Sequence, residues 1–508
     1  MGGVLYPGQV KEKEMAKQEF ERAKRKGLSA GHVAQKPRDT NRFLVTINVA
    51  AHSEVKFDLR YQQLLQRRLG FYEHPIYVDP GQAVNNVSIE VFIQESKKIT
   101  FIHVPPLRPN DPSLLSIDTS QDTRISRPSP LTGHVFYKPS DTDRPLRGAF
   151  IIEYEVDRKF DSGEIMAVNG YFVHFFAPEG LKPLPKDILF ILDTSNSMEG
   201  KKMRQLREAM LEILRDLNEG DRFNLLRFAR NVKFWHQDMQ KWNAANMQGA
   251  LRWISELDAG SITNINGALV EGLKMMTKSS ESLNETRNSI IVFLTDGEAT
   301  EGETNKVKIL ANVDRINKHG IPVFGLSFGA DADFDLMRKL SLRNNAVARR
   351  IYEASDTSLQ LKNFYDEISA ALIADLKFSY LGDNVDNTTL TNRRFQNYYN
   401  GTEVVIAGKL SDNSSDVTLK VDGNTNKGSL GNIDPVTSID IQNSSYGIGL
   451  MTDADIQAIP EKLWAYLTIK QLQDQRIASS DPVEKKKLSK RMLELSVKVS
   501  HSFLFWSF

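Results

Sequence analysis

The chain has 508 residues, too many for a single hydrophobic core, so about two to four domains are expected. Lysine and arginine total 65 against 64 aspartates and glutamates, and this balance argues against a nucleic-acid-binding protein, which usually has a basic excess. Cysteine is absent, which excludes disulfides and thiolate chemistry, and no run approaches the roughly 18 apolar residues of a membrane span.

The first part of the chain has the alternating apolar pattern of short antiparallel strands. A charged helix is predicted over 11–26, with Gly27 as its stop signal. Strand patterns then recur, separated by turn residues, at 43–49, 55–61, 76–78, 87–93 and 99–104. Residues 105–145 are rich in Pro, Ser, Asp and Thr and predict long loops with one strand at 134–137. We therefore assign 1–145 to a β domain with an N-terminal helix.

The middle of the chain changes to alternating strands and helices. Residues 146–185 form a β segment and a proline-rich linker, and a βα repeat follows over 186–376. Its first helix has apolar residues spaced 3, 4, 3, 4, at Met203, Leu206, Met210, Ile213 and Leu217. The last helix of the repeat is predicted over 359–373. Such a repeat predicts a doubly wound, mostly parallel sheet covered by helices.

The C-terminal third returns to short polar β patterns over 377–450 and then becomes helical over 451–508. Asp481 followed by Pro482 predicts the start of the second helix of a pair, and the chain ends in an apolar tail. Because β segments lie on both sides of the α/β domain, we expect it to be inserted in a sandwich built from strands of 146–177 and 377–440. The fold class is thus multidomain, α/β plus all-β.

Three oxygen-bearing side chains follow the apolar run 188–192, a buried-strand pattern, in the stretch 188–198 that reads I-L-F-I-L-D-T-S-N-S-M. They are Asp193, Ser195 and Ser197, on the loop at the carboxyl end of a strand, where open α/β sheets bind ligands. Oxygen-only ligands suit Mg²⁺, Ca²⁺ or Mn²⁺. Further ligands could come from Thr263 and from Asp296, which ends a second buried-strand pattern. The alternative is that Asp193 caps the next helix and both serines are solvated.

The combination of D-T-S-N-S, a Thr at a helix start and T-D-G at a strand end resembles the metal-ion-dependent adhesion site of a von Willebrand factor type A domain. This resemblance implies Ser195, Ser197 and Thr263 as hydroxyl ligands, with Asp193 and Asp296 bound directly or through water. The implied cofactor is Mg²⁺, or Mn²⁺ or Ca²⁺. The implied partner is an extracellular protein whose acidic residue supplies the last ligand.

Further segments extend the resemblance to the inter-alpha-trypsin inhibitor heavy chains. They read R-A-K-R-K-G-L-S-A-G-H-V (22–33), L-L-Q-R-R-L-G-F-Y-E-H (64–74), N-G-Y-F-V-H-F-F-A-P-E (169–179) and K-L-W-A-Y-L-T-I-K-Q-L (462–472). The family implies a vault protein inter-alpha-trypsin (VIT) β domain before the type A domain. It also implies secretion, and attachment to hyaluronan by way of chondroitin sulfate, which stabilises pericellular matrix.

Three departures from the family pattern are visible. The VIT-like part starts part-way in, so we expect the signal peptide and first strands to be missing. The chain stops after the second C-terminal helix, so we expect the later region with the glycan-bearing aspartate to be missing, and the resemblance then does not imply hyaluronan transfer by this chain. The usual Gly-Gly before Thr-Asn is replaced by Gly260, Ser261 and Ile262, so a reshaped loop before Thr263 is expected.

Other polar signals have simpler interpretations. Six N-x-S/T sequons are compatible with secretion without establishing it, at Asn86, Asn284, Asn387, Asn400, Asn413 and Asn443. His174 is predicted to be a packed strand residue. Asp331, Asp333 and Asp335 are explained by helix capping. The basic run at 485–491 is interpreted as a solvated helix face, with binding of an acidic glycan as the alternative.

We predict that the protein is not an enzyme, because no P-loop, no G-x-S-x-G elbow and no D-x-D pair at Asp193 is present. The leading hypothesis is a secreted matrix or plasma protein that binds protein ligands through a divalent cation. One alternative is a metal-independent hyaluronan or proteoglycan scaffold, or a carrier chain for a protease inhibitor. A second alternative is a Mg²⁺-dependent hydrolase.

Overall fold

A computed structural model of the chain describes residues 13–36, 39–49, 56, 58–59, 61–80, 82–109, 116–140, 146–281, 287–329, 332–351, 357–381, 383–411, 417–430, 437–438 and 453–499. The described part of the chain begins with helix α1 (Lys13–Arg25), which packs on the antiparallel hairpin β1 (Ala30–Lys36) and β2 (Asp39–Asn48). Phe20 of the helix is buried and stacks on His32 of the hairpin with 5.5 Å between ring centroids.

Two further antiparallel sheets are present among the described residues of the N-terminal β unit. Their strands are β3 (Arg67–Arg68), β4 (Phe71–Val78), β5 (Ile89–Gln94), β6 (Ile99–His103), β7 (Thr123–Ser129), β8 (Thr132–Tyr137) and β9 (Gly148–Val156). The strand orders are β3-β4-β9-β6 and β5-β8-β7, around a core that includes Val135 and Phe150. The predicted antiparallel class is confirmed, but β7 lies in a segment predicted as loop. The described residues of 55–61 contain no strand, contrary to the prediction.

Along the chain, the α/β unit follows strands β10 (Glu164–Val168) and β11 (Tyr171–Phe176) and precedes the C-terminal β segment. Its strands are β12 (Lys186–Asp193), β13 (Arg222–Phe228), β14 (Val232–Phe234), β15 (Gln240–Lys241), β16 (Asn288–Thr295), β17 (Val323–Phe328) and β18 (Ala348–Ile351). Its helices are α2 (Lys201–Arg215), α3 (Ala244–Ser255), α4 (Ile265–Glu281), α5 (Lys306–Ile316), α6 (Phe334–Arg343) and α7 (Thr357–Ser369).

The sheet order β14-β13-β12-β16-β17-β18 is parallel except for β14, and the short β15 pairs antiparallel with β13. Strand β12 is central, and all eight of its residues are buried because helices cover both faces of the sheet. One apolar layer joins the sheet to α2, α3 and α7, and the other joins it to α4, α5 and α6. The predicted doubly wound sheet is therefore confirmed.

Helix α7 runs almost directly into the next β element. The prediction placed the last helix over 359–373, but the helix ends at Ser369 and strand β19 (Ala371–Leu381) begins two residues later. Ala371 and Ile373 are buried and pair with strand β21 (Arg394–Tyr399). The apolar run at 371–374 is compatible with a helix by local propensity, and strand pairing decides otherwise.

The strands after the α/β unit complete a sandwich. Besides β19 and β21 they are β20 (Val385–Asp386), β22 (Val404–Leu410), β23 (Thr418–Thr425), β24 (Gly428–Ser429) and β25 (Thr437–Ser438). The two sheets have the orders β20-β22-β11-β10-β25 and β21-β19-β23-β24. Because β11 pairs antiparallel with β22, from Tyr171↔Lys409 to Phe176↔Val404, strands from both sides of the α/β unit share one sheet. The insertion is thus confirmed, although β9 pairs with β4 and β6 and not with the sandwich.

Among the described residues, three helices follow the sandwich, where a pair was predicted: α8 (Asp453–Gln457), α9 (Ile459–Ala478) and α10 (Pro482–Val499). Helix α9 packs on the sandwich, where Trp464 Nε1 donates to Thr389 O over 2.8 Å. At its other end, Ala478 O accepts from Arg343 Nε of the α/β unit over 3.0 Å. Asp481 caps α10 as predicted, whereas the apolar tail lies outside the described residues. Within the described ranges, no helix has both the length and the apolar character needed to cross a membrane.

Candidate metal centre

The loop after β12 carries the first part of the site. Ser195 N–H donates to Asp193 Oδ1 over 2.8 Å, so the carboxylate that ends the strand closes a turn over its own loop. A 3-10 turn follows at Asn196–Met198, anchored by the fully buried Met198 side chain. As a result Ser195 is buried beneath the loop and Ser197 stands on its exposed side.

Side chains from two adjacent parallel strands meet at this loop. Strands β12 and β16 are neighbours, so the residues that follow their carboxyl ends lie side by side. Ser197 Oγ donates to Asp296 Oδ1 over 2.6 Å and lies 3.0 Å from Ser195 Oγ. Thr295 Oγ1 donates to Asp193 Oδ2 over 2.5 Å. Four of the five predicted residues are thus linked by hydrogen bonds.

The loop before α4 docks on the serine loop through its backbone. Gly260 N–H donates to Thr194 O over 2.8 Å, and Asn196 N–H donates to Ser261 O over 2.9 Å. Ser261 has a φ of 73°, in the left-handed region that non-glycine residues rarely adopt. This strained residue lies directly after Gly260, in the loop before Thr263 that was expected to be reshaped.

Thr263 reaches the same site from this loop. Its N–H donates to Thr300 Oγ1 and its carbonyl accepts from Thr300 N–H, both over 2.9 Å, which fixes its backbone between two loops. A methyl group added at Gly297 would lie 3.4 Å from Ser197 Oγ and 3.7 Å from Thr263 Oγ1. The Ser197 and Thr263 hydroxyls therefore flank the same space in front of Gly297. The structure brings all five predicted residues together.

Burial perturbs the carboxylate at the end of β12. Asp193 is fully buried, and this desolvation raises the pKa of its carboxyl to about 6. Hydrogen bonds from Thr295 and Ser195 act in the opposite direction, and the nearby charge of Asp296 raises the pKa further. Among the described residues, no lysine or arginine pairs with Asp193, so its negative charge is stabilised only by dipoles.

The second carboxylate has a cationic partner. Lys202, in the first turn of α2, places Nζ 2.7 Å from Asp296 Oδ2, on the oxygen that Ser197 does not use. The Lys202 side chain is 17% exposed and the Asp296 side chain 0%. The two aspartates of the site therefore differ in charge compensation although both are buried.

The donor set fits a hard divalent cation. Hydroxyl and carboxylate oxygens are ligands for Mg²⁺, Mn²⁺ and Ca²⁺, and nitrogen and sulfur donors are missing from the five residues. Ser195, Ser197 and Asp296 now satisfy one another by hydrogen bonds, which a cation placed among them would replace. Ser197 is exposed, so the site also has a solvent-facing side from which a further ligand could reach a cation.

Three residues that support the site were not predicted from the sequence. Thr295 orients Asp193, Thr300 fixes the backbone of Thr263, and Lys202 neutralises Asp296. Thr295 lies inside the T-D-G motif, so the sequence offered a signal, but its hydroxyl role follows from the register of β12 against β16. No spacing in the sequence relates Lys202 to Asp296, which lies 94 residues away.

The structure describes three of the six predicted sequons and the predicted strand residue His174. Asn86, Asn387 and Asn400 are exposed, whereas the remaining three sequons, Asn284, Asn413 and Asn443, lie outside the described residues. His174 is fully buried between Tyr380 Oη and Ser162 O, at 2.9 and 2.6 Å, and burial lowers its pKa to about 4. Its predicted role as a packed strand residue is confirmed.

The structure also describes part of the acidic run near 331–335 and the basic run on α10. Asp333 caps α6 by accepting from Leu336 N–H over 3.2 Å, as predicted, whereas Asp331 lies outside the described residues. On α10 the exposed basic side chains are Lys486, Lys487, Lys490, Arg491 and Lys498. Lys490 lies 3.9 Å from Glu494, a weak exposed pair.

Comparison with known proteins places these features in a family. The model of the von Willebrand factor type A domain matches residues 187–367, and that of the vault protein inter-alpha-trypsin domain matches residues 1–61. Inter-alpha-trypsin inhibitor heavy chain H3 is 37% identical in Rattus norvegicus and 36% in Homo sapiens, over 98% of this chain and 56% of each relative. Heavy chain 4 of Mus musculus is 36% identical over 98% of this chain and 52% of its own length. The chain spans about half the length of the curated relatives it matches.

Solved structures show more distant likenesses. A von Willebrand factor type A protein from Catenulispora acidiphila aligns with 67% of this chain and 85% of its own, at a TM-score of 0.45 and 13% identity. A proximal thread matrix protein 1 structure from the mussel byssus, described with a zinc-occupied MIDAS motif, aligns with 40% of this chain and 51% of its own. Its TM-score is 0.32 and its identity 16%.

Proposed function

The chain belongs to the inter-alpha-trypsin inhibitor heavy chain family, and from this premise we propose that it is a secreted matrix or plasma protein that binds protein ligands through a divalent cation. The observation that carries the proposal is the convergence of Ser197, Thr263 and Asp296 around Gly297, at the carboxyl ends of adjacent strands. The exposed sequons Asn86, Asn387 and Asn400 are compatible with secretion.

Each residue of the centre has a distinct part in this proposal. Ser195, Ser197 and Thr263 would hold the cation through their hydroxyls, and Asp193 and Asp296 would hold it directly or through water. When bound, Mg²⁺ or Mn²⁺ supplies a coordination position for a carboxylate of the partner protein. Because three of these five ligands are neutral hydroxyls, only Asp193 and Asp296 would supply negative charge to the cation.

The test is calorimetric titration of Mg²⁺ and of Mn²⁺ into the EDTA-treated chain. We expect saturable binding at one site that is lost in Asp193→Ala and in Asp296→Ala. The matched control is Asp258→Ala, which removes a 90% exposed carboxylate from the start of the loop that carries Thr263. Binding that survives both site substitutions, or fails in the control as well, would contradict the proposal.

A second candidate function is favoured by one feature, the row of exposed basic residues on α10. In this alternative the chain binds hyaluronan or chondroitin sulfate without a metal, through charge attraction to Lys486, Lys487 and Lys490. Retention on immobilised hyaluronan that persists in EDTA, and that Lys486→Glu with Lys490→Glu removes, would support it. Retention that needs Mg²⁺ and fails in Asp193→Ala would instead assign glycan binding to the metal centre.

A further inference from the structure

Lys202 has an unusual place for a basic residue. Helix α2 begins with Lys201 and Lys202, has no acidic residue in its first turn, and starts after Gly200 without a side-chain cap. The first turn of a helix carries a partial positive charge and favours acidic residues, so two lysines there oppose the helix dipole. Helix stability therefore does not explain the position of Lys202.

One contact of Lys202 is an ion pair with a carboxylate of the metal centre. Its Nζ lies 2.7 Å from Asp296 Oδ2, while Asp296 Oδ1 accepts from Ser197, a candidate ligand. One carboxylate thus connects the ammonium to the hydroxyl edge of the site. Asp193, by contrast, accepts hydrogen bonds from the Thr295 hydroxyl and the Ser195 N–H, and no described lysine or arginine pairs with it.

This asymmetry sets the charge that a cation would meet. Two ionised aspartates would give the centre a formal charge of −2, and the ammonium of Lys202 reduces it to −1. In a buried site such a charge is screened weakly by salt, so its effect on an ion nearby is large. With a divalent cation bound, the centre would then have a net charge of +1, whereas without the ammonium it would be neutral.

We propose that Lys202 sets the charge balance of the metal centre: it weakens the binding of the divalent cation and strengthens the attraction of the bound cation for a carboxylate ligand. This inference rests on the proposed function, because it presumes that the centre takes a cation. Lys202 acts in it as a positioning and charge-setting residue that works through Asp296 and does not itself touch the cation.

The first test compares Mn²⁺ binding by calorimetry in the full chain and three variants. Lys202→Met removes the ammonium and should bind Mn²⁺ on the order of tenfold more tightly than the unmodified chain. Lys202→Arg keeps the charge and should stay within about threefold of it. Lys201→Met removes the same charge one residue earlier while leaving the pair with Asp296 in place, and should likewise stay within about threefold.

The second test measures the carboxylate preference of the loaded centre. Acetate is titrated into each Mn²⁺-saturated protein, and the loss of metal-bound water is followed by water-proton relaxation. Lys202→Met should bind acetate at least about threefold more weakly than the unmodified chain, and Lys202→Arg should restore it. Thermal unfolding of the same samples checks the fold: cation-free Lys202→Met should melt lower, because Asp296 is then buried without its partner, and Mn²⁺ should raise its Tm more than that of the unmodified chain.

The outcomes separate this inference from the proposed function. If the unmodified chain binds Mn²⁺ at a site lost in Asp193→Ala but Lys202→Met binds no more tightly, the role of Lys202 is wrong and the proposed function stands. If only Lys202→Met binds Mn²⁺, Lys202 opposes the cation as inferred and the proposed function of the unmodified chain fails. Tighter Mn²⁺ binding with unchanged acetate affinity would overturn the effect on the ligand, and no binding in any protein would overturn both proposals.

Discussion

Strand β12 carries a buried aspartate near each end, and the two carboxylates are held in opposite ways. Asp187, at the start of the strand, accepts from Arg222 Nε over 2.9 Å and from Arg287 Nε over 2.7 Å, so fixed cations surround it. Asp193, at the end, receives a hydroxyl and a backbone N–H and no basic side chain among the described residues.

The difference teaches how to recognise a candidate ion site in this fold. A buried carboxylate with two arginines is already neutralised, and its contribution is structural. A buried carboxylate with only dipoles around it keeps an unfavourable charge, which an exchangeable cation can compensate. The two ends of one strand therefore separate a structural ion cluster from the candidate metal centre.

The largest effect is expected at the structural end. Asp187→Asn would leave Arg222 and Arg287, which are only 14% and 7% exposed, without their carboxylate, and should lower the free energy of unfolding by about 3–5 kcal/mol. Urea denaturation followed by circular dichroism measures it. Asp258→Asn, which loses one exposed pair with Arg207, should change the same quantity by less than about 1 kcal/mol. A change below about 1 kcal/mol for Asp187→Asn would show that the arginines are not held by this aspartate.

At Asp193, at the other end of β12, we expect a large effect on metal binding and a small effect on stability. Asp193→Asn should weaken Mg²⁺ binding at least about 100-fold, because loss even of groups that only support a ligand costs 10–100-fold. The free energy of unfolding of the cation-free protein should change by less than about 1.5 kcal/mol, because the amide removes a buried charge while keeping most hydrogen bonds. Titration calorimetry and urea denaturation on one preparation check both. Strong destabilisation in the absence of cation would mean that Asp193 has mainly a structural role.

A fall in pH should weaken Mg²⁺ binding at Asp193. Because burial raises the pKa of Asp193 to about 6, the protonated form should compete with Mg²⁺, and affinity should fall roughly tenfold from pH 7 to pH 5. In the cation-free protein the folded state holds this proton more tightly than the unfolded chain does. The group therefore favours folding below its usual pKa of 3.8, and this contribution is lost as the pH rises through about 6.

Titration calorimetry from pH 5 to pH 8, in buffers of different ionisation enthalpy, measures the affinity and the proton released on Mg²⁺ binding. In cation-free Asp193→Asn, the free energy of unfolding should depend less on pH between pH 4 and pH 6, because this carboxyl no longer titrates. A Mg²⁺ affinity that is constant between pH 5 and pH 7 would contradict a raised pKa at Asp193.

The smallest effect is expected from isolating the α/β domain. We propose that its boundaries are 186–370, since α7 ends at Ser369 and β19 pairs in the sandwich. The separate domain should fold and bind Mn²⁺ within about threefold of the full chain, because the five site residues lie wholly inside it. Circular dichroism and calorimetry test this. A fragment that does not fold would show that the sandwich and α9 are needed for its stability, and the boundary proposal would be wrong.

Much of the fold could be predicted because its signals are local. The unbroken apolar run before Asp193 predicted a strand buried on both faces, and the 3, 4, 3, 4 spacing after it predicted α2. The β patterns on either side of the repeat predicted an insertion, which the pairing of β11 with β22 confirms. The end of α7 failed because the run at 371–374 pairs with a strand that lies over 20 residues farther along the chain.

The sequence by itself determined which side chains supply oxygen and that two of them end buried strands, because strand patterns and motif residues are properties of neighbours along the chain. Only the tertiary structure decided that Thr263 reaches Ser197 in front of Gly297, that Thr295 holds Asp193, and that Lys202 lies on Asp296. Those contacts join residues separated by tens of positions, and they depend on strand register and loop docking. Charge compensation at a buried carboxylate is set by what the fold brings near it, so the difference between Asp187 and Asp193 could not be inferred from their sequence context.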